Sequence, residues 1–274
     1  MTIAFLLFIG LLTGATTVLF GFGGGFITVP VLLWIDASAG PSAAVVAVAT
    51  SALVMVVNAA IATLATPRAI LGQLRHSAPL LWLLAAGGLV GACTASFAPE
   101  AFVTWGFTFY LAATIVDVIA RPGFVRRARI ATTTAHVGTA GGRGSFAISA
   151  GLGLPIGALA ALLGVGGSVM TVPLLRRAGF PMRTAASLAN PLTLCIATPA
   201  LIAFLAFGRP ITSTSGLWML GAVDLGAAGL LLAGAIPIIV LWRRRPPRVP
   251  DSLHAWGYVA LLAVMLATML LRTL

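Results

Sequence analysis

Apolar residues dominate the chain in windows of roughly 18 to 24 positions, the length that spans a bilayer core. The windows lie at about 2–20, 43–65, 78–97, 102–120, 147–163, 184–207, 217–241 and 253–271, so the pattern predicts eight hydrophobic helices. Polar residues collect in the short intervals between them. Two further apolar pieces, 26–35 and 169–175, each follow a glycine cluster and are too short to cross alone.

Those clusters interrupt otherwise continuous apolar segments. GFGGGFITVPVL, Gly21 to Leu32, recurs as GVGGSVMTVPLL, Gly164 to Leu175, with seven of twelve positions identical. The identities are Gly21/Gly164, Gly23/Gly166, Gly24/Gly167, Thr28/Thr171, Val29/Val172, Pro30/Pro173 and Leu32/Leu175. Further on, Ala49-Thr50-Ser51 pairs with Ala189-Asn190-Pro191, and Asn58 with Thr198. The chain therefore reads as two repeats, 1–120 and 147–274, joined by a glycine- and arginine-rich linker, 121–146.

Inside a helix, Gly costs about 1 kcal/mol against Ala and Pro about 3. In lipid, an unpaired backbone group costs several more, so such breaks occur where the freed groups are buried in protein or line a cavity. A helix that restarts after a break offers unpaired N–H groups and partial positive charge, which favours an anion. Glycines, Gly25 included, let the backbone approach that ligand. Pro30 and Pro173 fit best in the first turn of a restarted helix, which places the restart near Thr28 and Thr171 as caps. Arg176, three residues past Pro173, then puts a cation close to the second break. Gly87, Gly88 and Gly91 carry no following Thr-Val-Pro and read as packing glycines.

Composition narrows the class and charge orients the chain. At 60% hydrophobic and 8% charged, the sequence is that of a polytopic membrane protein. All 16 basic residues are Arg, against 5 acidic ones, and they sit in short loops between apolar windows. That distribution reflects membrane orientation and argues against nucleic-acid binding. If all eight windows crossed, the two sides would hold nine and seven arginines. If 147–175 instead enters and returns to one side, fourteen share that side and only Arg209 and Arg272 remain opposite. The positive-inside rule selects the second arrangement, with the linker 121–146 cytoplasmic. Its arginines also leave a lipid-headgroup contact open. The first motif then leads to an outer loop, Asp36 to Ser42, and the second to an inner one, so the repeats are inverted, as in many secondary transporters.

Polar residues within the windows are Thr50, Ser51, Asn58, Asn190, Thr193, Thr198, Asp117 and Asp224. Thr50, Ser51 and Asn190 follow the motif at matching distances and are expected beside the breaks as hydroxyl and amide donors. Interhelical hydrogen bonding is the alternative for each. Asp117 and Asp224 lie near window ends, as coupling candidates for protons or sodium, or as helix caps and arginine partners. Cys93 and Cys195 fall inside windows and indicate neither a disulfide framework nor a metal cluster. His76, His136 and His254 lie in loops or at a window end, so no nucleophile–base pair is apparent; no enzyme activity, cofactor or metal is expected. The first window lacks a positive n-region and reads as structure, not as a cleaved signal.

GFGGGFITVP and GVGGSVMTVP, each followed by a small polar Ala-Thr-Ser or Ala-Asn-Pro element, resemble the TauE/SafE sulfite exporter family. GAVDLGAAGLLLAG, Gly221 to Gly234, is similar to that family's later helix. The resemblance implies transport of sulfite, sulfonates or related sulfur-containing anions. Three departures bear on which anion. Ser168 replaces the third glycine in the second motif, Asn190-Pro191 replaces Thr-Ser, and Val223-Asp224 has only Leu71-Gly72-Gln73 opposite it in the first half.

The combined expectation is an all-α, polytopic helical bundle of two inverted repeats with broken or re-entrant helices, in the inner (plasma) membrane. It would act as a secondary transporter of small oxyanions by alternating access. The expected binding residues are Gly21, Gly23, Gly24, Gly25, Thr28, Pro30, Thr50, Ser51 and Asn58, with Gly164, Gly166, Gly167, Ser168, Thr171, Pro173 and Asn190 from the second half. Its partners would be a small anion and the bilayer, with a homodimer left open. A non-transporting scaffold subunit and a transporter of another small anion are the alternatives.

Overall fold

A computed structural model describes residues 2–35, 43–75, 77–121, 124, 148–207, 218–245, 247 and 249–273. The Asp36–Ser42 loop, His76, His136, Arg209, Arg248 and most of the 121–146 linker lie outside the described residues. The fold is a helical bundle. In order come α1 (Thr2–Phe20), α2 (Gly25–Ile35), α3 (Ala43–Leu64), α4 (Arg68–Leu71), α5 (Ala78–Ala95) and α6 (Glu100–Ala120). The second half holds α7 (Gly153–Leu163), α8 (Ser168–Arg177), α9 (Met182–Phe207), α10 (Leu225–Arg244) and α11 (Asp251–Thr273). A two-stranded hairpin, β1 (Met219–Leu220) and β2 (Val223–Asp224), precedes α10.

Among the described residues, seven helices are long and apolar enough to cross a membrane. The pattern had predicted eight, and the difference is the window 147–163. There α7 has 11 residues, about 16 Å at the helical rise, between a 3-10 turn at Ala150–Leu152 and the left-handed Gly164 that ends it. The window 217–241 is also corrected. Its first residues form the hairpin, whose turn holds Gly221 at φ +61°, and the helix begins only after Asp224.

The two halves pack reciprocally. Helix α1, opening the first half, lies on α10 of the second; α7, opening the second, lies on α5 of the first. Between them α3 packs against α9, and α6 against α11. Both reciprocal contacts depend on absent side chains. A Cβ built on Gly14 would stand 2.9 Å from Ala235 Cα, and one on Gly157 would stand 3.0 Å from Gly88 N. Gly10 and Gly153 make the same kind of approach, one turn earlier in each helix. The pairs Gly10/Gly14 and Gly153/Gly157 have the same sequence separation as Gly21/Gly164, so the repeat extends upstream of the glycine breaks. Gly87 and Gly91 sit against α7, and Gly88 against Ile196 of α9, as close packing of small residues requires.

Helix directions follow from these contacts. Gly153 meets Leu80 and Gly157 meets Leu84, so α7 runs parallel to α5. Helix α8 then returns, because Arg177 at its end pairs with Asp117 at the end of α6. The pair α7 and α8 thus starts and finishes at one end of the bundle. That end gathers charge: Asp117 also binds Arg121 at 3.1 Å, Arg176 pairs with Asp251, and Arg243 Nη1 donates to Thr66 Oγ1 at 3.1 Å. At the opposite end Arg272 pairs with Glu100. Large apolar side chains such as Trp82, Phe97 and Phe109 point outward, as a lipid-facing surface requires.

Candidate functional site

Each glycine cluster turns the chain sharply. Gly21, Gly23 and Gly24 have φ of +75°, +65° and +97°, and Gly164 and Gly166 have +65° and +71°, a region open to glycine and strained for other residues. Gly25 and Gly167 lie outside that region, so the turning is done by the first members of each cluster. The helices then restart at Gly25 and Ser168, three residues earlier than the prolines suggested.

Two expectations change with that restart. Pro30 and Pro173 occupy the sixth helical position, inside the helix and beyond its first turn. Thr28 and Thr171 are not caps: Thr28 Oγ1 donates back to Gly24 O at 2.9 Å, and Thr171 Oγ1 finds no partner among the described residues. A proline at position six removes the donor to the carbonyl four residues earlier. For Pro173 that carbonyl is Val169, and Tyr258 Oη supplies the missing donor at 2.9 Å.

The two breaks meet between α3 and α9. Cβ positions built on Gly23 and on Gly166 each lie 3.0 Å from Thr193 Cγ2. The Gly166 position is also 3.0 Å from Met55 Sδ and 3.4 Å from the Phe22 carbonyl of the first break. Ser51 Oγ, on α3, donates to Gly164 O at 3.1 Å and ties the second break to the first half. Asn58, one turn beyond Met55, has Nδ2 2.8 Å from where a Gly24 Cβ would stand. The first turns of α2 and α8 bring their main-chain N–H groups, and the positive ends of both helices, to this junction.

Several buried polar atoms of α3, α8 and α9 have no partner among the described residues. Asn58 is fully buried, and neither Nδ2 nor Oδ1 finds a hydrogen bond among the described residues. Ser168 Oγ, Thr171 Oγ1, Thr193 Oγ1 and Asn190 Oδ1 share that state. Folded proteins rarely leave such groups unmet, so these atoms call for partners from outside the chain, ordered water or a bound solute. The junction itself carries no ionised side chain from the described residues. Arg176, expected nearby, is buried at the far end of α8, where it contacts Phe124 O, Phe180 O and Asp251.

Other expected residues stand elsewhere. Thr50 Oγ1 accepts from Asp224 N at 3.0 Å, which places it against the start of α10 and not at a break. Thr198 is exposed and donates to Leu194 O within its own helix. Asp224 Oδ1 caps α10 by accepting from Ala227 N at 2.9 Å, and Asp117 is engaged by Arg121 and Arg177. Thr193 and Met55 were not expected in the site. Thr193 was visible as a polar residue in an apolar window, whereas a methionine in such a window carries no signal at all.

A cleft of about 310 Å³ lies between α6, α7 and α8. Asp117, Arg121 and Arg177 of the arginine-rich end line it, together with Val169, the second residue of α8. His254 is separate from it: the ring closes the end of α1 through Nε2 and Leu19 O, 2.6 Å apart.

The sequence matches the family described as Sulfite exporter TauE/SafE over residues 6–269. No curated protein and no solved structure matches the chain. Seven apolar spans together with that match make it a multi-pass membrane protein of a sulfur-anion transporter class. With the match covering nearly its whole length, the chain belongs to the TauE/SafE sulfite exporter family.

Proposed function

We propose that the protein carries sulfite or a related small sulfur oxyanion across the inner membrane by alternating access, binding it where the two glycine breaks meet. The observation that carries this reading is the junction itself. Two helix starts converge on Thr193 and Met55, beside an Asn58 whose amide is buried and unpartnered among the described residues. Neutral donors and two positive helix ends offset an anion's charge there without a lysine or arginine.

In the same reading, 1–120 and 147–274 are inverted repeats and 121–146 is a cytoplasmic linker, with the arginine-rich end of the bundle facing the cytoplasm. The reciprocal packing of α1 on α10 and α7 on α5 supports the repeats, and the positive-inside rule supports the orientation. The cleft beside α8 would serve as the approach from that side.

Flux of labelled sulfite, sulfate and sulfonates in proteoliposomes tests the proposal, with Gly24→Leu and Gly167→Leu compared at equal folded protein. Saturable flux of at least one sulfur anion that both variants abolish is the expected result. No flux for any of these anions, or flux unchanged in both variants, would overturn it.

A further inference from the structure

The space between the two breaks is occupied by a side chain. Met55 is 2% exposed and lies within contact of both halves of the junction. Its Sδ crowds the Cβ position of Gly25, the first residue of α2, and stands 3.0 Å from that of Gly166 in the other break. Its Cγ is 3.5 Å from the Cβ position of Gly23. Thr193 flanks it with a methyl group turned toward Gly23 and Gly166. Met55 therefore covers the junction on which the first turns of α2 and α8 converge, beside the unmet amide of Asn58.

We propose that Met55 is a displaceable plug that fills the anion's position in the ligand-free protein and sets the size of anion admitted; this rests on the site described under Proposed function. The chemistry of the side chain fits that role. Methionine is unbranched with three rotatable bonds, so it vacates a space that a β-branched residue of similar size holds rigidly. It also covers the helix starts with apolar atoms, which keeps water from bridging the breaks while no anion is bound. Thr193 is branched at Cβ and has less freedom to move, so the plug is assigned to Met55 alone.

The test is flux and KM for labelled sulfite in proteoliposomes, for wild type, Met55→Leu, Met55→Ala and Met55→Ile. Met55→Leu, branched at Cγ but free at χ1, is expected to lower flux by less than Met55→Ile does. Met55→Ile, locked at χ1 in the helix, is expected to lower flux by about tenfold or more at equal folded protein. Met55→Ala is expected to lower KM and to admit propanesulfonate or a larger alkanesulfonate that wild type excludes. If the alanine variant does not fold, the isoleucine arm alone decides. Wild-type KM, flux and size selectivity in every folded variant would overturn the plug while leaving the anion site standing. Absence of wild-type flux would overturn both.

Discussion

The Tyr258 hydroxyl donates to the Val169 carbonyl at 2.9 Å, the carbonyl that Pro173 leaves without its helical donor. This bond lets α8 carry a proline inside the membrane with no unmet backbone group at that point. Tyr258→Phe is expected to cost about 1–3 kcal/mol, because the buried carbonyl stays unpaired. In a Pro173→Ala background the alanine N–H meets the same carbonyl, so the loss is expected to shrink clearly. Thermal unfolding in detergent across this double-mutant cycle checks it, and equal losses in both backgrounds would contradict the pairing.

The corresponding position in the first half is Phe107. Trp105-Gly106-Phe107 matches Trp256-Gly257-Tyr258, and Phe107 faces Phe26 with ring centroids 6.3 Å apart. The halves thus differ in chemistry at matching positions: a phenol in the second half donates to a freed carbonyl, and in the first half a phenyl ring, which has no donor, packs on Phe26.

Gly24 and Gly167 are equivalent in the repeat and are expected to respond differently to alanine. Gly24 has φ +97° and its Cβ would press on Asn58 Nδ2, so Gly24→Ala strains the backbone by about 1–2 kcal/mol and moves a proposed ligand. Gly167 has φ −70°, and its Cβ would meet chiefly the end of the Ile196 side chain, 2.5 Å away, which can shift. Sulfite flux is expected to fall by about tenfold or more in Gly24→Ala and to stay within about threefold in Gly167→Ala, as misplacing a binding group outweighs a side-chain adjustment. Equal loss in both variants would contradict this.

Much of this organisation was legible in the sequence, and the failures have physical causes. The windows located every long helix because lipid-facing residues must be apolar over a full crossing. The glycine repeat located both breaks, since few residues besides glycine tolerate the turns made at Gly21 and Gly164. Proline misled the reading of the restart, and at Pro173 its preference for the first turn yields because Tyr258 meets the freed carbonyl. Thr50 was placed at the break by analogy of position, yet which way a side chain points on α3 depends on the partner helix, and its partner is Asp224. Met55 was invisible because one methionine among apolar residues looks like packing until its neighbours are known.

The acidic residues near the span ends hold structural partners: Asp224 caps α10, and Asp117 pairs with Arg121 and Arg177. Asp224→Asn is expected to keep both cap and flux, since Asn caps as well as Asp, whereas Asp224→Ala is expected to cost about 1 kcal/mol. Asp117→Asn, at a partly exposed ion pair, is expected to cost no more than about 1 kcal/mol and to leave the pH profile of transport unchanged. Unfolding curves and flux measured across pH for the three variants check both statements. A pH profile flattened by Asp117→Asn would assign that carboxylate to coupling instead.

The reciprocal glycine contacts are expected to be intolerant of volume. Gly14→Leu and Gly157→Leu each push a side chain into the backbone of a facing helix, at Ala235 and at Leu84 to Gly88. Overpacking of this kind costs about 1–3 kcal/mol or more, so both variants should unfold at lower temperature or fail to elute as monodisperse protein. Leucine at Gly72 or Gly229, where no neighbouring atom approaches within 4 Å of a Cβ, is the control expected to be silent.

Replacement of Asn58 by leucine tests the central claim most directly, because it separates stability from function. Asn58 is buried with both amide atoms unmet among the described residues, so an apolar side chain of similar size is expected to leave stability unchanged or raise it. If the amide serves an anion between the breaks, Asn58→Leu should unfold no earlier than wild type and still lose saturable sulfite flux in proteoliposomes. A stable Asn58→Leu protein that transports sulfite with the wild-type KM would contradict the account.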